Sequence, residues 1–128
     1  MADDSLPSSA DGEINAEAFA TFAAKGEQGP VVMLNLLKLK ADGGFESYMK
    51  YGEAVAPLLE KVGGKINYSG AADELMIGVE DWDLIALVEY PTRQAFVDMV
   101  TSEAYQAITH YREEALVRSV LYASNPLA

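Results

Sequence analysis

His110 is the only histidine in the chain, and so the only side chain whose ordinary pKa suits proton transfer near neutral pH. With no second His and no Cys near it in sequence, its plainer reading is an exposed residue on a helix. Asn35 interrupts an apolar run, and a buried amide needs hydrogen-bond partners, so it is either a structural tie or a group that orients a substrate. Trp82 and Tyr68 offer large amphipathic surfaces that could wall a pocket, although such rings more commonly serve core or interface packing. Arg93 and Arg112 carry forked guanidinium donors suited to a carboxylate or an enolate. In so acidic a chain, pairing with a surface Asp or Glu is the competing account. Tyr48, Tyr51 and Tyr90 add hydroxyls near the same layer, with packing as their ordinary role.

Other chemistries lack their residues. The cluster Glu80-Asp81-Trp82-Asp83 has no nearby His and reads as a solvated acidic loop, so no metal is expected. Gly43-Gly44 and Gly63-Gly64 are isolated pairs at helix ends; there is no nucleophile elbow, phosphate-cradling loop or dinucleotide fingerprint. Covalent and nucleotide chemistry are disfavoured, and no cofactor is expected.

The elements that must position these residues belong to one domain, because 128 residues can bury one core but not two. Half the residues are hydrophobic, yet no apolar run reaches the roughly 18 residues of a membrane-spanning helix. Net charge is -11, from 9 basic and 20 acidic residues, which repels phosphate backbones and anionic headgroups. Nucleic acid and membrane surfaces are therefore not expected partners. Residues 1–12 lack the basic and apolar regions of a secretory signal, so the expected location is cytoplasmic. With no cysteine, stability must come from packing.

Residues 1–13 read as a flexible tail and 14–29 as a helical extension, capped by Asn15 and ended by the Gly26 to Pro30 stretch. Residues 31–40 form a short, nearly continuous apolar run between Pro30 and Asp42-Gly43-Gly44, which predicts a buried strand. Alternation puts Val31, Met33, Asn35, Leu37 and Leu39 on one face of it. Phe45, Tyr48, Met49, Val55, Leu59 and Val62 recur at helical spacing, with Pro57 predicting a kink or break near Glu53. A hairpin is expected from an extended segment over 65–79, interrupted by Gly70 to Glu74, and a strand over 82–90, with Glu80-Asp81 as the turn. Pro91-Thr92 opens a helix with Phe96, Val97 and Val100 inward; a second helical run starts near Ser102, and residues 117–123 close the domain as a strand.

The order β, α, β, β, α, β predicts an α+β ferredoxin-like domain over residues 30–123, with a four-stranded antiparallel sheet, helices on one face, and a C-terminal tail over 124–128. The other face is left bare. An uncovered apolar sheet surface marks an association interface, so a face-to-face homodimer closing as a dimeric α+β barrel is expected.

The run from Pro30 to Lys38, then Tyr51-Gly52, Gly63-Gly64-Lys65, Trp82-Asp83, Glu89-Tyr90-Pro91-Thr92-Arg93, Ser102-Glu103-Ala104-Tyr105-Gln106, Arg112 and Ser119, resembles the DUF1330 family of the dimeric α+β barrel superfamily. The resemblance covers about Pro30 to Tyr122 and implies a dimeric ferredoxin-like fold, with no substrate or catalytic residues attached. Superfamily relatives include cofactor-free monooxygenases, haem-degrading enzymes, isomerases and regulatory ligand-binding domains, among which fold does not choose. The haem-degrading relatives use an Asn, a Trp and a His, but the spacing of Trp82 and His110 departs from theirs.

These readings converge on a small, largely apolar organic molecule bound or transformed in a helix–sheet cleft. His110, Asn35 and Trp82 would act on it as in a cofactor-independent oxygenase or isomerase, and Tyr51, Tyr68, Tyr90, Arg93 and Arg112 would hold it. The competing reading is a non-catalytic ligand-binding or structural dimer.

Overall fold

The computed structural model describes residues 14–127; the tail expected over 1–13 lies outside them. The Asn15 side chain accepts from the Ala18 N–H at 2.9 Å and so caps α1 (Ala16–Ala24). β1 (Val31–Leu39) follows, then α2 (Gly44–Lys61), β2 (Lys65–Ala71) and β3 (Leu84–Tyr90). Three short helices come next: α3 (Arg93–Val100), α4 (Glu103–Gln106) and α5 (Thr109–Ala115), before β4 (Leu116–Ser124). The sheet order is β2-β3-β1-β4 with every neighbour antiparallel, as a ferredoxin-like βαββαβ fold requires.

The period-2 reading of β1 holds. Val31, Met33 and Leu37 are buried on the face that meets the helices. Cross-strand register carries that face across the sheet: Asn35 lies opposite Ala86 on β3 and Leu121 on β4. Val31 and Met33 join Leu59, Tyr90, Phe96, Met99 and Val100 in one core. Phe96 holds Phe22 and Tyr90 edge-on, at 5.4 and 5.1 Å between centroids, which docks α1 onto α3. Each such side chain contributes about 1.5–3 kcal/mol on burial.

Several local expectations are corrected. α2 is one uninterrupted helix although Pro57 sits inside it. Pro57 removes a single donor, while Val55, Leu58 and Leu59 on both sides pack into or against the core and keep the segment helical. The hairpin has no tight turn at Glu80-Asp81: β2 stops at Ala71, and residues 72–83 form a long connector. Leu75, Met76, Ile77 and Val79 stand exposed on it rather than extending the strand. Met99, not Val97, joins Phe96 and Val100 in the core. The run after Ser102 is two helices, the first capped by the Ser102 hydroxyl, which accepts from the Tyr105 N–H.

The second sheet face carries no helix. By register it presents Leu34, Leu36, Leu87, Val120 and Tyr122, with Lys38 and Arg118 at one end. Those two cations tie down the connector. The Lys38 ammonium lies 3.1 Å from Asp81 and 3.5 Å from Asp83, and Arg118 donates to the Asp81 carbonyl at 2.6 Å.

Candidate functional site

Between α2, the α3–α5 run and the helix-facing side of the sheet lies a partly open cavity of about 1200 Å³. Its floor comes from Met33 and Asn35 of β1, Ala86 and Val88 of β3, and Leu121 of β4. α2 supplies a wall because Tyr48, Tyr51, Gly52, Val55 and Leu59 recur at helical spacing and so share one face. That stripe is aromatic at one end and aliphatic at the other. α1 reaches the same space through Phe19.

The polar end is built from tyrosines. The hydroxyls of Tyr51 and Tyr105 are 2.8 Å apart, a hydrogen bond joining α2 to α4. The Tyr51 ring stands edge-on to Tyr105 at 6.3 Å and tilted against Tyr48 at 5.7 Å. Burial holds the Tyr51 hydroxyl well above the usual tyrosine pKa; the neighbouring Tyr105 adds to the rise and Arg112 opposes it. Burial likewise raises Tyr90, with a smaller contribution from Tyr105, and Tyr48, where Arg112 again opposes. At neutral pH these hydroxyls are therefore donors rather than bases. Arg112, on α5, lines the cavity and is half-buried. Among the described residues the side chains at ion-pair distance are Lys38 with Asp81 and Asp83, so Arg112 has no carboxylate partner there. The Asn35 amide makes one long contact, donating to the Met33 carbonyl at 3.4 Å.

Of the residues singled out in the sequence, Asn35, Tyr48, Tyr51, Tyr90 and Arg112 come together around this cavity. Four others lie outside it. Trp82 belongs to the connector, where its indole N–H donates to Glu80 at 2.7 Å and its ring lies under the Arg118 guanidinium at 4.0 Å. His110 is exposed, its ring 4.1 Å from that of Tyr111; on α5 it is Thr109, Arg112 and Glu113 that reach the cavity. Asn35, Trp82 and His110 thus do not form a shared cluster. Tyr68 pairs with Leu87 on the open face, placed there by a register shift between Ile66 and Tyr68.

Arg93 is buried and makes no surface ion pair among the described residues. Its guanidinium donates to the Asn125 side chain and lies 5.3 Å from the centre of the Phe22 ring, which ties α1 and the C-terminal segment to α3. Its Nε has no partner among the described residues. The feature that sequence reasoning missed is the Tyr105 hydroxyl. Helical spacing points Tyr105 inward, but its partner Tyr51 lies 54 positions earlier, a relation no local pattern contains. No three His, Asp or Glu side chains converge on a possible ion position among the described residues.

A four-stranded antiparallel sheet in this order, helices on one face and a cavity between the layers define a ferredoxin-like α+β protein. The chain belongs to the DUF1330 family, described as a domain of unknown function, whose sequence model matches residues 43–125. RPA0582 of Rhodopseudomonas palustris, a protein of unknown function with a crystal structure, is 34% identical; the match covers 91% of this chain and 96% of that one, with a TM-score of 0.83. Likeness of fold alone extends to a dimeric ferredoxin-like protein from Bacteroides fragilis, at 18% identity over 78% of this chain and 99% of that one, TM-score 0.56. It extends also to an uncharacterized NIPSNAP-like domain protein from Burkholderia xenovorans, at 15% identity over 77% and 86%, TM-score 0.57. No curated protein matches the chain. No helix among the described residues is long and apolar enough to cross a membrane.

Proposed function

We propose that this chain binds a small, largely apolar organic molecule in the cavity of each protomer of a homodimer. The carrying observation is the cavity itself: aliphatic side chains from both layers enclose its body, and polar groups from three elements meet at one end. Asn35 orients the ligand from the floor, and Tyr51 and Tyr90 hold it from the sides. Pairing is through the open sheet face, whose apolar strand positions have no helix over them. The connector bearing Leu75, Met76, Ile77 and Val79 is fastened to that same face by Lys38 and Arg118, so it adds apolar surface where a second copy would sit.

Binding without catalysis is favoured over the oxygenase or isomerase version by one observation. Burial keeps the Tyr51 and Tyr90 hydroxyls protonated, and the histidine lies outside the cavity. Proton abstraction would need a base that neither the tyrosines nor the histidine supplies, and the carboxylates that border the cavity, Glu60 and Glu113, are on exposed side chains. Two measurements test the reading. Ala86→Phe sets a ring beside Asn35 on the cavity floor, and should weaken the thermal shift that small aromatic ligands give the parent protein. Tyr122→Asp puts a charge on the open face and should convert a dimer to a monomer in sedimentation. A parent protein that sediments as a monomer removes the pairing; ligand shifts left unchanged by Ala86→Phe remove the cavity as the binding place.

A further inference from the structure

We infer that the ligand of this cavity is an organic anion, a carboxylate or an enolate, whose charged head meets Arg112 and the Tyr51–Tyr105 hydroxyl pair. The inference rests on the binding reading above and adds the class of ligand.

The chain has 20 acidic residues against 9 basic ones, so an arginine with no functional demand on it would ordinarily find a carboxylate. Arg112 finds none among the described residues, although Glu60 and Glu113 also border the cavity with their exposed side chains. No hydrogen-bond acceptor for its guanidinium occurs among the described residues either, whereas half-buried Arg118, on β4, donates to the Asp81 carbonyl and stacks on Trp82. A half-buried guanidinium with up to five unspent donors in a fixed fork is matched by a planar two-oxygen acceptor.

The hydroxyl pair points the same way. Two hydroxyls 2.8 Å apart share one proton in their mutual bond, and the second proton of the pair remains available to a third group. The cavity wall therefore offers a cation from α5 and a spare O–H donor from the hydroxyl pair that joins α2 to α4. The positive charge of Arg112 opposes the rise in pKa of both Tyr48 and Tyr51. Such an excess of donors suits a group that only accepts, which an ionised carboxylate or enolate is and a neutral amide or alcohol is not. The rest of the cavity, with Met33, Val55, Leu59, Val88 and Leu121, suits an aromatic or branched hydrocarbon body.

The test is calorimetric titration with matched probes of one shape: 2-naphthoate against 2-naphthamide, and phenylacetate against 2-phenylethanol. The acid of each pair should bind about ten- to a hundredfold tighter than its neutral partner, the range of charge-assisted hydrogen bonds. Arg112→Met, which keeps an unbranched apolar stem and removes the charge, should bring the acid down to the level of the neutral probe and leave the neutral probe unchanged. Arg112→Lys should restore part of the preference, and circular dichroism confirms that each variant is folded. Equal binding of acid and neutral probe by the parent protein overturns the anion inference and leaves the cavity reading standing. So does an Arg112→Met variant that weakens both probes alike. Failure of every probe to bind, with Ala86→Phe indistinguishable from the parent, overturns the cavity reading and the inference with it.

Discussion

Raising the pH through the tyrosine range should destabilise this protein by an amount that its buried hydroxyls set. Tyr51 and Tyr90 are held above the ordinary value of about 10 chiefly by burial, which penalises the phenolate and not the phenol. Below about pH 10 both folded and unfolded chains keep these protons, and there is no effect. Above it the unfolded chain releases them while the folded chain retains them. The unfolded state then binds fewer protons, and stability falls as pH rises toward the folded pKa. At about one unit above the ordinary value each tyrosine accounts for a loss of about 1.4 kcal/mol, so the two together remove about 3 kcal/mol. Against a total of about 5–15 kcal/mol that is a large fraction. Urea unfolding at a series of pH values measures it, with tyrosinate absorbance as an independent count of protons retained. Tyr90→Phe should remove about 1.4 kcal/mol of the pH-dependent loss at that pH, because one retained proton is gone, while Tyr51 and Tyr48 keep theirs. The reasoning is refuted if the unfolding free energy is flat from about pH 9 to about pH 11, or if every tyrosine of the folded protein ionises at the ordinary value.

Three further outcomes follow from the packing. Leu37→Ala removes a side chain with 0% exposure at the centre of β1 and should cost about 2–5 kcal/mol in urea unfolding, with an unchanged denaturant slope. Asp83→Ala should cost about 1–3 kcal/mol, because Asp83 accepts from the Leu39 N–H at 2.8 Å and its loss strands that donor; Lys38→Met, which breaks only exposed ion pairs, should leave the unfolding midpoint within the scatter of repeats. Gly29→Ala would set a Cβ 2.1 Å from the Pro91 carbonyl oxygen and 2.7 Å from the Thr92 Cα, so the Gln28–Arg93 and Gly26–Gln94 backbone bonds must open; about 1–3 kcal/mol of destabilisation and faster proteolysis within α1 are expected.

Much of this fold is legible where local pattern and tertiary role agree. β1 could be read with its faces because alternation between Pro30 and the Asp42-Gly43-Gly44 turn has one solution once a side is buried. Asn15 and Ser102 announce helix starts by side-chain chemistry that acts within three residues. The connector is different. Leu75 to Val79 have the composition of a strand, yet no neighbouring strand takes them up, and composition does not record which neighbour is absent. The site divides along the same line. Asn35, Tyr51, Tyr90 and Arg112 lie on faces that period and register aim at the cavity, whereas His110 and Trp82 were candidates by chemical type, and type says nothing about direction. The Tyr51–Tyr105 bond, like the burial of Arg93 under α1, exists only once distant segments are folded together.

The separation of Trp82 from the tyrosines also makes the molecule optically addressable. Its single indole sits on the connector against Arg118, while Tyr48, Tyr51, Tyr90 and Tyr105 surround the cavity. Long-wavelength excitation selects the indole alone and follows the connector at the open face, whereas phenol emission mixes the cavity tyrosines with Tyr68 and Tyr122 of the open face. Association of two copies can therefore be watched in an unlabelled sample through one chromophore that reports from the side of the sheet opposite the cavity.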